Sequence, residues 1–211
     1  MSEELVPTPV GTAHITWYRA HRAARAVAVL GHGSATGVES SDLQALAAAL
    51  PARGITVALV TQPYRYEGNY RAADEGSLDM AWTAIWPTVS AAGLPVIAGG
   101  RSAGSQVACR TAAVLGAVAV LALAYPLRGP GSTRELLATG RPTLIVQGGS
   151  DPFGRPQEFP RLPDSIEMVE IPAANHTFGT GFGSSQESTM ARITDAVTEW
   201  LDRQLDQRVS L

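Results

Sequence analysis

A chain of 211 residues, 45% hydrophobic and 17% charged, has the composition of a soluble globular protein and the length of one domain with a sizeable core, residues 1–211. Its 16 basic residues, all Arg, stand against 19 acidic ones for a net charge of −3 with no basic run, which argues against nucleic acid as a partner. A single cysteine, Cys109, excludes an internal disulfide and fits a reducing cytoplasm, where we expect it as a small buried hydrophobe. Glu3 and Glu4 stand where a signal peptide would be basic, and the longest apolar run, 112–127, is broken by Gly116 and Pro126 and does not read as a membrane span. Asn175-His176-Thr177 matches the N-glycosylation pattern, without an export signal to give it meaning.

The apolar pattern reads as strands alternating with helices. Residues 14–18 form a first strand and 25–30 a second, more apolar one that runs into Gly31-His32-Gly33-Ser34. Ser41 and Gln44 have the spacing of a capping box, ahead of Leu43, Leu46, Ala47 and Leu50 at helical spacing, with Pro51 ending the helix. Residues 55–60 are a continuous apolar strand, followed by a loop, 61–73, that carries Tyr64, Tyr66 and Tyr70. A helix with Leu78, Ala81, Trp82, Ile85 and Val89 on its core side comes next, kinked at Pro87 and capped by Gly93. Strands are predicted at 94–98, 118–124, 142–147 and 165–171, and helices at 105–115 and 133–138. An amphipathic helix at 186–207 closes the chain, with Met190, Ile193, Val197, Trp200, Leu201 and Leu205 on one face. Continuous apolar strands separated by helices predict an α/β fold, a mostly parallel sheet with helices on both faces. The connections are too short for an inserted cap domain, and no repeat or linker divides the chain.

Gly100-Arg101-Ser102-Ala103-Gly104 sits between the predicted strand 94–98 and the helix 105–115. With 21 Gly in the chain, chance alone supplies such a Gly-x-Ser-x-Gly in roughly one chain of seven, so the context has to decide. A strand that turns sharply into a helix exposes the serine hydroxyl on a strained tip, and glycines at both flanks avoid collision with neighbouring backbone. A serine hydroxyl needs a base to take its proton as it attacks a carbonyl. Of four histidines only His176 follows the serine, and it lies just past the last predicted strand. A carboxylate behind the ring fixes its tautomer; Asp151 follows a strand end, whereas its rival Asp164 precedes one and belongs at the opposite edge of the sheet.

In an open α/β sheet ligands bind beyond the carboxyl ends of the strands, where Gly31–Ala35, Gly100–Gly104, Asp151 and His176 all fall. The backbone N–H groups of Ala103 and of Ser34, with Ala35 in reserve, are the candidate donors to a developing oxyanion. His32 fits a loop-bracing role better than a catalytic one. Arg101 either meets an anionic substrate or pairs with a carboxylate behind the elbow, and the second is favoured. Tyr64, Arg65, Tyr66, Phe153 and Phe178 fall on rim loops, as pocket walls or as anchors to the core.

On Gly31-His32-Gly33-Ser34-Ala35, Gly99-Gly100-Arg101-Ser102-Ala103-Gly104, Gly149-Ser150-Asp151-Pro152-Phe153-Gly154 and Asn175-His176-Thr177-Phe178, the chain resembles the α/β-hydrolase superfamily over nearly its whole length. It looks most like a small, lidless branch near the dienelactone-hydrolase-like group, whose namesakes use a cysteine where this chain has Ser102. The resemblance implies a Ser102, Asp151, His176 triad in the chain order serine, acid, histidine. The expected activity is metal-independent and cofactor-free hydrolysis of an ester or related acyl bond in a small-molecule substrate. A non-catalytic binding or scaffold protein on the same fold is the alternative, because fold does not dictate activity. Transfer of the acyl group to an acceptor other than water, and the oligomeric state, stay open at this stage.

Overall fold

The computed structural model describes residues 1–69, 73–128, 131–181 and 185–209; Tyr70 lies outside them. Among these residues the strands are β1 (Ser2–Thr8), β2 (Gly11–Tyr18), β3 (Ala26–Gly31), β4 (Ile55–Thr61), β5 (Val96–Arg101), β6 (Ala119–Leu123), β7 (Thr143–Gly148) and β8 (Ile166–Ile171). They form one sheet in the order β1-β2-β4-β3-β5-β6-β7-β8. From β4 across to β8 all neighbours are parallel, while the β1–β2 hairpin joins β4 antiparallel at one edge. The helices are α1 (Ser41–Ala49), α2 (Pro63–Tyr66), α3 (Glu75–Ser90), α4 (Ala103–Leu115), α5 (Ser132–Leu137) and α6 (Gln186–Val209). None is long and apolar enough to cross a membrane.

Strand alternation divides the core into two layers. Val27 and Val29 of β3 with Ala58 and Val60 of β4 face one side, against Leu78, Trp82 and Ile85 of α3 and Val107, Ala108 and Ala112 of α4. Ala26, Ala28 and Leu30 with Ile55, Val57 and Leu59 face the other, against Leu43 and Leu46 of α1 and Ile193, Val197, Trp200 and Leu201 of α6. Each central strand is therefore buried on both faces, which is why it reads as a continuous apolar run. Cys109 is buried within α4, and burial pushes its thiol up to about 12.

Three expectations need correction. The first strand of the sheet is β1, which the pattern did not announce because Val6 alone in Ser2–Thr8 is buried. It is fastened to β2 by seven register pairs and by Trp17 Nε1–H donating to Glu4 at 2.9 Å. The capping box is absent: Ser40 precedes α1 without a side-chain cap, and the Gln44 amide donates to the Val38 carbonyl at 2.8 Å instead. The loop after β4 contains α2, and α3 runs on through Pro87 to Ser90, with Ala91 as its cap rather than Gly93.

Candidate active site

The last residue of β5 is Arg101, and α4 begins at Ala103, so Ser102 makes the whole turn between strand and helix. Its backbone takes φ 50° and ψ −121°, a conformation that L residues rarely adopt. β3 runs directly behind this turn. A Cβ on Gly100 or on Gly104 would come within 2.5 Å of the Gly31 carbonyl oxygen, so both positions have to be glycine.

Ser102 Oγ lies 2.9 Å from His176 Nε2, and His176 Nδ1 lies 2.8 Å from Asp151 Oδ2. Asp151 is fully buried after β7, whereas the imidazole keeps one edge open to solvent. The buried carboxylate is satisfied on all sides. Its Oδ1 accepts the Phe153 N–H at 2.8 Å, and its Oδ2 accepts the Gln147 amide at 3.0 Å as well as the imidazole. Gln147 also donates to the Gly154 carbonyl and accepts the Tyr125 N–H, tying the Asp151 loop to the segment that follows β6. Sequence reasoning missed Gln147, whose only signal is an amide in the middle of an apolar strand. The His176 loop is shaped by Asn175, whose Oδ1 accepts from the Thr177 and Gly179 N–H groups.

A crevice of about 300 Å³ opens above the hydroxyl, lined by Ser34, Thr36, Ala103, Pro126, Phe153 and His176 among others. Ser34 and Ala103 thus face the same space as Ser102. Helix geometry leaves the first-turn N–H groups of α4, Ala103 among them, without intrahelical acceptors. His32 is buried below the Ser34 loop; its Nδ1–H donates to the Gly33 carbonyl at 2.7 Å and its Nε2 accepts the Gln62 N–H at 3.1 Å. Only a neutral ring makes both bonds, and burial above all lowers the His32 pKa from its ordinary value.

The rim residues divide. Phe153 stands 46% exposed on the crevice wall, its ring centroid 4.5 Å from that of His176. Phe178 is not a pocket residue: it is fully buried in the layer under α6, turned inward by the left-handed backbone that ends the Asn175 turn. Tyr64 stays behind the Ser34 loop, packing its ring edge on His32 and its hydroxyl toward the Ser34 carbonyl at 3.4 Å, outside the crevice. Tyr66 stacks on His14, and Arg65 reaches Glu39. Arg101 borders the crevice, but its guanidinium is 3% exposed and paired with Asp42, so it offers no open cation to an anionic substrate. Asp164 is exposed at the start of β8, away from the imidazole. Among the described residues no group of three or more His, Cys, Asp and Glu side chains gathers as metal ligands would.

A model of the alpha/beta hydrolase domain matches residues 24–202. The chain belongs to the alpha/beta hydrolase family. Among solved structures it is similar to an alpha-beta serine hydrolase homologue from Coxiella burnetii, at a TM-score of 0.81 and 17% identity, over 95% of this chain and 97% of the other. It is similar to a lidless serine hydrolase from Xanthomonas campestris, at 0.78 and 20% identity over 96% and 94%. It is also similar to a dienelactone hydrolase from Anabaena variabilis, at 0.73 and 19% identity over 96% of each chain. At such identities the likeness is one of fold. Among curated proteins none matches the chain in sequence. This alpha/beta hydrolase carries no cap domain among its described residues, and its crevice lies at the carboxyl ends of β3, β5, β7 and β8.

Proposed function

We propose that this alpha/beta hydrolase cleaves an ester or a related acyl bond in a small molecule through an acyl-enzyme, with residues 1–211 as one catalytic unit. Ser102 is the nucleophile, His176 the base and then the acid, and Asp151 the carboxylate that orients the ring. The observation that carries the reading is the pair of hydrogen bonds in line, 2.9 Å from Ser102 Oγ to His176 Nε2 and 2.8 Å from His176 Nδ1 to Asp151, opening on the crevice. With Nδ1–H donated to the buried carboxylate, the Nε2 lone pair faces the hydroxyl and can take its proton.

Ser102 Oγ then attacks the acyl carbon while its proton moves to Nε2. The carbonyl oxygen becomes an oxyanion held by the N–H groups of Ala103 and Ser34, each contributing about 3 kcal/mol when well aimed. Collapse breaks the bond to the leaving group, which departs with the proton from Nε2. Water repeats the sequence on the acyl-serine and regenerates the free hydroxyl. The chain's own groups supply every step, so the reading calls for no metal or cofactor. A fluorophosphonate probe should label the wild-type protein and not Ser102→Ala, and p-nitrophenyl acetate should be turned over by the wild type alone. Equal turnover by both proteins removes Ser102 from the mechanism.

A further inference from the structure

We propose that Arg101 is a positioning residue, whose guanidinium sets the His176 loop and the Ser34–Thr36 loop in register with Ser102. The inference rests on the serine-hydrolase reading above and adds a residue to it. Arg101 immediately precedes Ser102, at the end of β5. Its side chain is buried at the border of the crevice and reaches three separate segments. Nε–H donates to Asp42 Oδ2 of α1 at 3.0 Å, Nη1–H to Thr36 Oγ1 at 3.2 Å, and Nη2–H to the His176 carbonyl at 2.6 Å. Arg101 and Asp42 are both 3% exposed in their side chains.

Burying such a pair is not the economical way to hold three segments together. A well-packed apolar replacement for a buried ion pair is often neutral or stabilising. What an apolar group cannot do is fix the direction of a peptide carbonyl. The His176 carbonyl belongs to the residue whose imidazole must meet Ser102 Oγ, so anchoring it fixes the backbone from which the ring hangs. Thr36 lies two residues beyond Ser34, whose N–H is the second oxyanion donor. The planar guanidinium, with donors at fixed angles, thus joins to the nucleophile's own strand the two loops that must converge on one acyl carbon. Asp42 neutralises the charge, which leaves the guanidinium a framework piece rather than a substrate anchor.

A displacement of about 1 Å in such a site costs on the order of 100-fold in rate. Arg101→Met should therefore lower kcat for p-nitrophenyl acetate, and the rate of fluorophosphonate labelling, by about 100-fold with KM within about threefold. Arg101→Lys, which keeps the charge and one bond, should fall between Met and the wild type. Thr36→Val keeps the Asp42 and His176 contacts and should lower both rates by about tenfold. Should Arg101→Met fail to fold, as circular dichroism would show, the Lys and Thr36→Val variants carry the test. A folded variant of Arg101 or Thr36 that labels and turns over within about twofold of the wild type overturns the inference while leaving the triad standing. A wild type that neither labels nor turns over overturns the triad reading itself.

Discussion

The two ends of the sheet solve the same geometric problem with different residues. At the amino ends the chain enters β4, β5, β6 and β7 through Gly54, Gly93, Gly116 and Gly140, each with φ between 66° and 74°. At the carboxyl ends the residues with positive φ include Ser102, Ala124, Ala173 and Phe178, at 46° to 58°, each with a side chain. A Cβ in that region costs roughly 1–2 kcal/mol per residue. Charge follows the same division. Arg25 and Arg53 clasp Asp202 at the surface by the amino ends of β3 and β4. At the other end Arg101, Asp42, Asp151, Gln147 and His32 are all buried. One end keeps these charges at the surface, and the other holds strain and buried charged groups around the crevice, where pre-organised chemistry requires them.

The sharpest way to break this contrast is Ser102→Gly. Turnover should fall roughly 10⁶-fold, as for loss of a serine nucleophile. Yet the variant should be more stable than Ser102→Ala by up to about 1 kcal/mol, because glycine accepts the elbow backbone without strain. Denaturant midpoints of the two variants decide this, and a less stable glycine variant removes the strain argument. Asp151→Asn should lower kcat by about 10⁴-fold, since the amide no longer holds the imidazole tautomer that leaves Nε2 free to accept; single-turnover rates near wild type would remove the carboxylate from the mechanism. The third test is pH. Burial holds the His32 pKa below its unfolded value, so below pH 6.5 the unfolded chain binds more protons than the folded one. The His32 contribution is therefore complete above that pH and declines as pH falls through 6.5 toward the folded value. The melting temperature of the wild type should drop more steeply from pH 7 to pH 5 than that of His32→Gln, and parallel curves would show that the buried ring is not linked to folding.

These contrasts were legible in the sequence to different depths. The inner parallel strands stood out because burial on both faces makes them apolar runs, Ser102 and Asp151 because each follows such a run, and His176 because it is the one histidine after the serine. Edge strand β1 did not, because a strand with one buried residue has no pattern to read. Phe178 and Tyr64 look alike in sequence to Phe153, yet only Phe153 reaches the crevice; the direction of a loop aromatic is set by turns such as that of Asn175, not by its type. The Arg101 side chain was recognisable as ambiguous, but its acceptors lie 59, 65 and 75 residues away along the chain and no local spacing names them. Gln147 was hidden for the converse reason, since its neighbours in β7 are apolar and its bonds run sideways to the segment after β6 and to the Asp151 loop.

The smallest effects test the backbone half of the comparison alone. A Cβ on Gly116 meets nothing within 4 Å, so Gly116→Ala should carry only the conformational cost, about 1 kcal/mol, with kcat unchanged. Ala173 is its counterpart at the other end, exposed, at φ 58°, in the turn between β8 and His176. Ala173→Gly relieves roughly 1–2 kcal/mol in the folded state but frees the unfolded chain by about 0.4–1 kcal/mol, for a net gain of roughly 0–1.6 kcal/mol. The two changes lie at opposite ends of the sheet and should add, bringing the double variant close to the wild type in urea midpoint. If Ala173→Gly instead destabilises the protein, the positive φ there is not a stored cost, and the difference between the two ends reduces to where the charges are buried.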